Sequence, residues 1–275
     1  MNFNAQFTSA FLAFYYIAFF STFSFSQNPN LQEMIRASQN PIADRVFVSL
    51  SDNIGFGIDP EDRISNNINV QPVLPFPLGT WNITTRAILP VNYQPDILNN
   101  EGGTFGLGDL RLSALLNPQT NSPLKWGIGP SFLFPTATDN ALGADQWGIG
   151  PAIVGEYNQG NLLAGLFAEN IWSFAGDADR PDINLLRLRP FINYIIPAFQ
   201  NLFITTSPEI TADFVSDDNR WTVPIGGGLG YLLNLGTMPI NINVEGYWNS
   251  IRPDFSPDWT LRSIIQAQFP STKRR

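Results

Sequence analysis

The sequence predicts an all-β protein: a transmembrane antiparallel up-and-down β-barrel of about 12 strands, with a short N-terminal periplasmic arm. Three observations predict it. Twelve consecutive segments alternate apolar and polar residues with a period of two. The links between them sort into a short, uncharged set and a longer, acidic set. The composition is also poor in charge: of 275 residues 14% are charged, 44% hydrophobic and 13% aromatic, where a soluble domain carries roughly a quarter charged residues. Mean hydropathy is nevertheless -0.03, so the chain is not uniformly greasy.

Taken from the N-terminus, residues 7–25 are almost unbroken apolar and aromatic, and no charge precedes Glu33. A run of that length fits a membrane helix or a secretory signal. The small residues Ser24 and Ser26 around Phe25 favour a signal peptide over 1–26, cleaved before Gln27. Residues 27–44 form a polar arm with one or two helical turns expected around 31–38. Whether this arm enters the barrel as a plug or hangs in the periplasm stays open. The barrel is expected over 45–269, followed by a tail at 270–275.

Strands are predicted near 45–58, 65–77, 80–94, 104–117, 124–136, 145–158, 161–174, 183–196, 200–211, 219–234, 238–250 and 257–269. The alternation is clearest where Ile240, Ile242, Val244 and Trp248 interleave with Asn241, Asn243 and Glu245. Trp81, Ile83 and Leu89 interleave in the same way with Asn82, Thr84 and Arg86. Such segments meet an apolar medium on one face and a wet one on the other, and each has the roughly 9–11 tilted residues that cross a bilayer.

The connections separate a membrane barrel from a large soluble sandwich. Links such as Leu78-Gly79-Thr80 and Gln159-Gly160-Asn161 are short and uncharged. The alternate ones carry Asp59, Glu61 and Asp62, then Asp96 and Glu101, then Asp139 and Asp145. Further along they carry Asp177, Asp179 and Asp182, then Asp213, Asp217 and Asp218, then Asp254 and Asp258. Fifteen of the 23 acidic residues thus gather at one end. Short turns on one side and long loops on the other mark an outer-membrane barrel, with the acidic loops extracellular in a Gram-negative cell. The seven tryptophans, Trp81 to Trp259, fall near strand ends, where an interfacial girdle puts them. In a sandwich they would fill the core. The last strand, ending in Phe269, resembles the signal read by the barrel assembly machinery.

Composition also excludes functions. The chain has no His and no Cys, which removes His-based catalysis, thiolate nucleophiles, disulfides and thiolate metal sites. No catalytic residues, no cofactor and no metal site are expected, and the chain reads as a non-enzyme. A net charge of -8 and only two lysines, Lys125 and Lys273, argue against nucleic acid. The acidic loops read as solvated segments facing lipopolysaccharide, bridged by Mg²⁺ or Ca²⁺, in preference to a dedicated cation site.

Turning the apolar set toward lipid places Arg86, Asp109, Arg111, Glu169, Arg187, Arg189, Glu209, Glu245 and Arg262 in the lumen. These are five arginines against four carboxylates. Two readings stand: an ion-paired interior that ties strands together, or a charged constriction that selects solutes. Eight prolines (Pro72, Pro75, Pro90, Pro130, Pro151, Pro190, Pro208 and Pro224) lie inside predicted strands, where each removes a ladder donor. Together with the repeated Trp-Gly-Ile-Gly-Pro they predict either an indented wall or local packing bends.

The repeats Trp126-Gly-Ile-Gly-Pro130 and Trp147-Gly-Ile-Gly-Pro151 are distinctive. So are Phe105-Gly-Leu-Gly-Asp109, Phe134-Pro-Thr-Ala-Thr-Asp139, Ile171-Trp-Ser-Phe-Ala-Gly-Asp177, Trp221-Thr-Val-Pro-Ile-Gly226 and Gln39-Asn-Pro-Ile-Ala43. In this order they resemble the bacterial outer-membrane transporter family of the phenol-degradation MetA-pathway type, whose relatives are sometimes labelled neuromedin U. The resemblance implies an outer-membrane channel or transporter for small solutes, apolar or aromatic compounds among them. It brings no catalytic set. The alternatives are a non-conducting structural or adhesion barrel and, below it, an exported soluble β-sandwich that binds a ligand.

Overall fold

The structure, a computed structural model, describes residues 45–97, 102–199, 201–235 and 238–269, together with Ile35 and Ile42. The expected leader at 1–26, the rest of the arm at 27–44, Glu101 and the tail at 270–275 lie outside the described residues.

Among the described residues fourteen strands follow one another: β1 (Val46–Ile58), β2 (Arg63–Leu78), β3 (Trp81–Pro95), β4 (Gly103–Leu107), β5 (Leu110–Pro118), β6 (Leu124–Phe134) and β7 (Gln146–Gln159). Then come β8 (Leu162–Gly176), β9 (Asn184–Ile195), β10 (Leu202–Thr206), β11 (Ile210–Asp213), β12 (Trp221–Leu235), β13 (Met238–Ile251) and β14 (Trp259–Phe269). They build twelve staves. β4 and β5 both pair with β3 across a break at Gly108 and Asp109. β10 and β11 both run between β9 and β12 across a break at Ser207, Pro208 and Glu209. Every pairing is antiparallel, and β14 on β1 with β13 on β12 closes the ring. The twelve predicted segments coincide with these staves to within a few residues.

The faces follow strand alternation, inverted relative to a soluble protein. Along β7, Ala152, Val154 and Glu156 are buried while Trp147, Ile149, Ile153 and Tyr157 are exposed. Along β13, Asn241, Asn243, Glu245, Tyr247 and Asn249 are buried while Val244 and Trp248 are exposed. A period of two lets one strand serve lipid and lumen at once. Six tryptophans, including Trp126, Trp221 and Trp259, present a large part of their surface outward, so they do not form a sandwich core. Trp81 packs edge-on against Trp126 at the short-turn end, and Trp248 lies beside Trp259 at the long-loop end.

The prolines have mostly local effects. Three of them, Pro72, Pro130 and Pro151, keep their pairing with one neighbour (Val48, Pro151 and Pro130). On the other side each sits at a two-residue gap in the ladder, as a missing N–H requires. In both Trp-Gly-Ile-Gly-Pro repeats the glycine before the proline takes up the resulting close approach. A Cβ on Gly129 would lie 1.8 Å from the carbonyl oxygen of Ala114, and one on Gly150 would lie 1.7 Å from that of Asn170. Only Pro208, among the eight, lies where a stave is interrupted. There the Ser207 N–H donates to the Tyr247 hydroxyl at 2.8 Å and the Ser207 carbonyl accepts from Arg262 at 2.7 Å. This backbone is therefore bonded to interior side chains and not to its neighbouring strands.

The interior differs along the barrel axis. Toward the short turns, Leu115, Ala152, Val154 and Phe167 form a buried cluster, and Ile42 packs in it. Of the arm, Ile42 and Ile35 are the described residues, and both are buried. Ile42 therefore lies inside the barrel. Phe47 packs on Val73 nearby.

Candidate functional site

The charged residues expected in the lumen meet there, because odd positions of β5 and β9 and their counterparts on β8 share the inner face. Glu169 on β8 stands directly opposite Arg187 on β9, and Arg187 Nη1 lies 3.6 Å from Glu169 Oε1. Arg111, three strands away on β5, reaches the same oxygen at 3.3 Å. Glu209, in the break between β10 and β11, lies 3.8 Å from Arg111 and 3.7 Å from Arg187. The four residues form a ring of alternating charge across the interior. Hydroxyls hold its buried corner: Ser131 Oγ donates to Glu169 Oε2 at 2.6 Å and Ser113 Oγ lies 3.5 Å from the same oxygen. A buried carboxylate needs this much compensation to stay charged.

A second cluster fastens the broken stave. Arg262 and Glu245, opposite each other in the β13–β14 register, pair at 3.4 Å. Arg262 also donates to Asn53 Oδ1 at 2.9 Å and lies over the Tyr247 ring, 4.9 Å from its centroid. Glu245 accepts from Tyr247 at 2.6 Å and from Thr205 at 3.2 Å. With the Ser207 contacts above, these bonds hold the interruption of β10 and β11 in place.

Two arginines stand outside both clusters. Arg86 donates to the neutral Gln71 side chain at 3.1 Å and lies over Phe167, 5.3 Å from the ring centroid. Arg189 makes no hydrogen bond and no ion pair within 4 Å among the described residues. Asp109 acts at the rim. Its oxygens accept from the N–H groups of Thr136, Ala137 and Ala144 at 3.1, 3.1 and 2.7 Å. It thus organises the loop between β6 and β7 at the mouth.

Space inside the barrel follows this arrangement. A cavity of about 450 Å³ occupies the long-loop half, with Asp182 and Asp213 toward its mouth and Arg86, Arg111, Arg187 and Arg189 in its wall. A smaller one of about 120 Å³ lies toward the short turns, among Phe47, Asn193 and Gln266. Between them is a space of only about 10 Å³ walled by Phe167, Glu169 and the arginines, roughly the room for a single water. Arg86 and Arg189 border all three. They mark the neck of the lumen.

Of the residues named from the sequence, Arg86, Asp109, Arg111, Arg187, Arg189, Glu209 and Arg262 border the large cavity, Glu169 borders the neck, and Glu245 is buried against Arg262. Gln71, Phe167, Ser131, Ser207 and Tyr247 were not singled out. Strand parity with Glu169 and Glu245 places two of them, Phe167 and Tyr247, on the inner face. Phe167 was hidden because an apolar residue on an alternating strand reads as lipid-facing. Glu156 was also passed over: it is 1% exposed and neither carboxylate oxygen has a hydrogen-bond partner among the described residues.

The sequence matches no protein-family model and no curated protein. Solved structures do resemble the fold. An outer membrane channel from Pseudomonas putida F1 superposes with a TM-score of 0.64 at 14% identity, covering 82% of this chain and 95% of the channel. Outer membrane phospholipase A of Escherichia coli gives 0.45 at 9% identity, covering 87% and 96%. A monoaromatic hydrocarbon channel, TodX, gives 0.34 at 9% identity, covering 89% and 94%. The first of these likenesses establishes the fold: this chain is an outer-membrane-type β-barrel.

Proposed function

We propose that the protein is an outer-membrane channel that passes small solutes along the barrel axis. The observation that carries this reading is the cavity of about 450 Å³ at the long-loop end, leading to a neck beyond which a second cavity continues. In this reading the acidic loops face the cell exterior and the short turns face the periplasm. Membrane lipid and lipopolysaccharide surround the barrel, which the assembly machinery inserts. The motif resemblance to the phenol-degradation MetA-pathway transporters adds apolar and aromatic compounds as candidate solutes. A neck this narrow calls for low conductance, with the Arg86 and Arg189 side chains moving aside as a solute passes.

Ion conductance of the refolded chain from Gln27 to Arg275 in a planar bilayer tests the reading, after heat-modifiable gel migration has confirmed folding. Discrete steps whose ion selectivity shifts on charge reversal at Arg187 or Glu209 are the expected result. A folded, inserted and silent barrel would favour the second reading, a structural or adhesion barrel. Ile42 inside the barrel and the four-residue ion-pair ring are what support that alternative.

A further inference from the structure

We propose that the neck is a carboxylate-binding site and that its ligand is a small amphipathic carboxylate. The carboxylate sits on Arg189 and Arg86, and the apolar body lies against Leu133, Ile171 and Leu185. The inference deepens the channel reading by naming the solute class, and its biological use rests on that reading.

The argument starts from charge balance. Arg111 and Arg187 are matched by Glu169 and Glu209, and Arg262 is matched by Glu245. Arg86 and Arg189 are left over, one bonded to a neutral amide and stacked on a ring, the other without hydrogen bond or ion pair among the described residues. A guanidinium cannot shed its proton, and its fork of donors matches a carboxylate in two parallel bonds. Two such groups bordering the same neck form an oxyanion receptor that no carboxylate among the described residues fills with a hydrogen bond or ion pair.

The cavity above them has the size and the two-sided wall of a small-molecule site, a class that spans roughly 300–1,000 Å³. Leu133, Ile171 and Leu185 supply an apolar side, and Asn53, Asn67 and Asn69 supply an amide side. Asp182 and Asp213 at the mouth repel a free anion, but their field is screened over about 8 Å at physiological salt, whereas a bound carboxylate touches the guanidinium groups directly.

Benzoate and benzamide, alike in shape and different in charge, are the probes. Their binding to the folded chain from Gln27 to Arg275 in detergent is measured by equilibrium dialysis. Benzoate should bind about tenfold more tightly or better, the factor a charge-assisted contact supplies. Arg189→Gln should abolish the preference, Arg189→Lys should keep part of it, and Arg220→Gln, on an outer loop, should leave it intact. Equal binding of both probes, or a preference that survives in the Arg86→Gln, Arg189→Gln double variant, overturns the proposal. A silent barrel that binds benzoate sinks the channel reading alone. A conducting barrel indifferent to benzoate sinks this one alone.

Discussion

The two halves of the barrel interior are enclosed by the same staves and filled to different degrees. Toward the short turns, inward positions carry Leu115, Val154, Leu163, Ile195 and Phe203 beside Asn82, Asn117, Asn193 and Gln268, all buried, with Ile42 packed against Leu115 and Val154. Toward the long loops, inward positions carry Asn67, Asn69, Arg111 and Arg187 around open space. The outside does not share the division, since Ile149 and Ile153 on one strand are exposed alike. Strand geometry therefore decides that there is an inside, and the inward side chains decide whether it is open.

The same contrast separates two buried glutamates. Glu169 has two arginines and two hydroxyls around it. Glu156, in the more tightly filled half, has no hydrogen bond to either oxygen among the described residues, and its cross-strand partner is Lys125, which forms no ion pair with it. One exchange, Glu→Gln, should thus act oppositely at the two sites. Glu169→Gln leaves Arg111 and Arg187 to share Glu209 and should destabilise the folded barrel by about 3–5 kcal/mol, as breaking a buried pair does. Denaturant unfolding in lipid vesicles measures it, and a loss under about 1 kcal/mol would mean that the ring is not tightly coupled.

Ile42 offers the next largest effect. Ile42→Ala should cost about 2–5 kcal/mol if Ile42 contributes like an ordinary core residue. Where the closed half is held shut by this contact, the single-channel conductance of the variant should also rise. Unchanged stability together with unchanged conductance would show that the closed half owes nothing to Ile42.

The smallest effect, and the most telling in sign, is expected at Glu156. Removing a buried carboxyl that no donor among the described residues satisfies should leave stability unchanged or raise it by about 1 kcal/mol. Destabilisation of the Glu156→Gln variant in the same unfolding assay would show that the Lys125 charge compensates this carboxylate, and the two halves would then be electrostatically alike.

The strand count, the staves' limits, the inverted faces and the sorting of loops were legible in the sequence. All depend on local alternation and on the residues of neighbouring links. Asn241, Asn243 and Glu245 announce the lumen face by themselves. Parity likewise turns Arg86, Arg187 and Arg189 inward, without saying which of them find partners. That was decided by distance in the closed barrel: Glu169 meets Arg111 only because the two intervening strands, β6 and β7, curve until β5 faces β8. Glu209 reaches Arg111 and Arg187 from the break between β10 and β11, on the far side of the ring from Glu169. The sequence left plug or free arm equally open for Ile42, since an isolated apolar residue in a polar stretch has no periodicity to assign it. Alternation in one strand specifies which face is wet, whereas partnership across a lumen depends on curvature and closure, which belong to the whole ring.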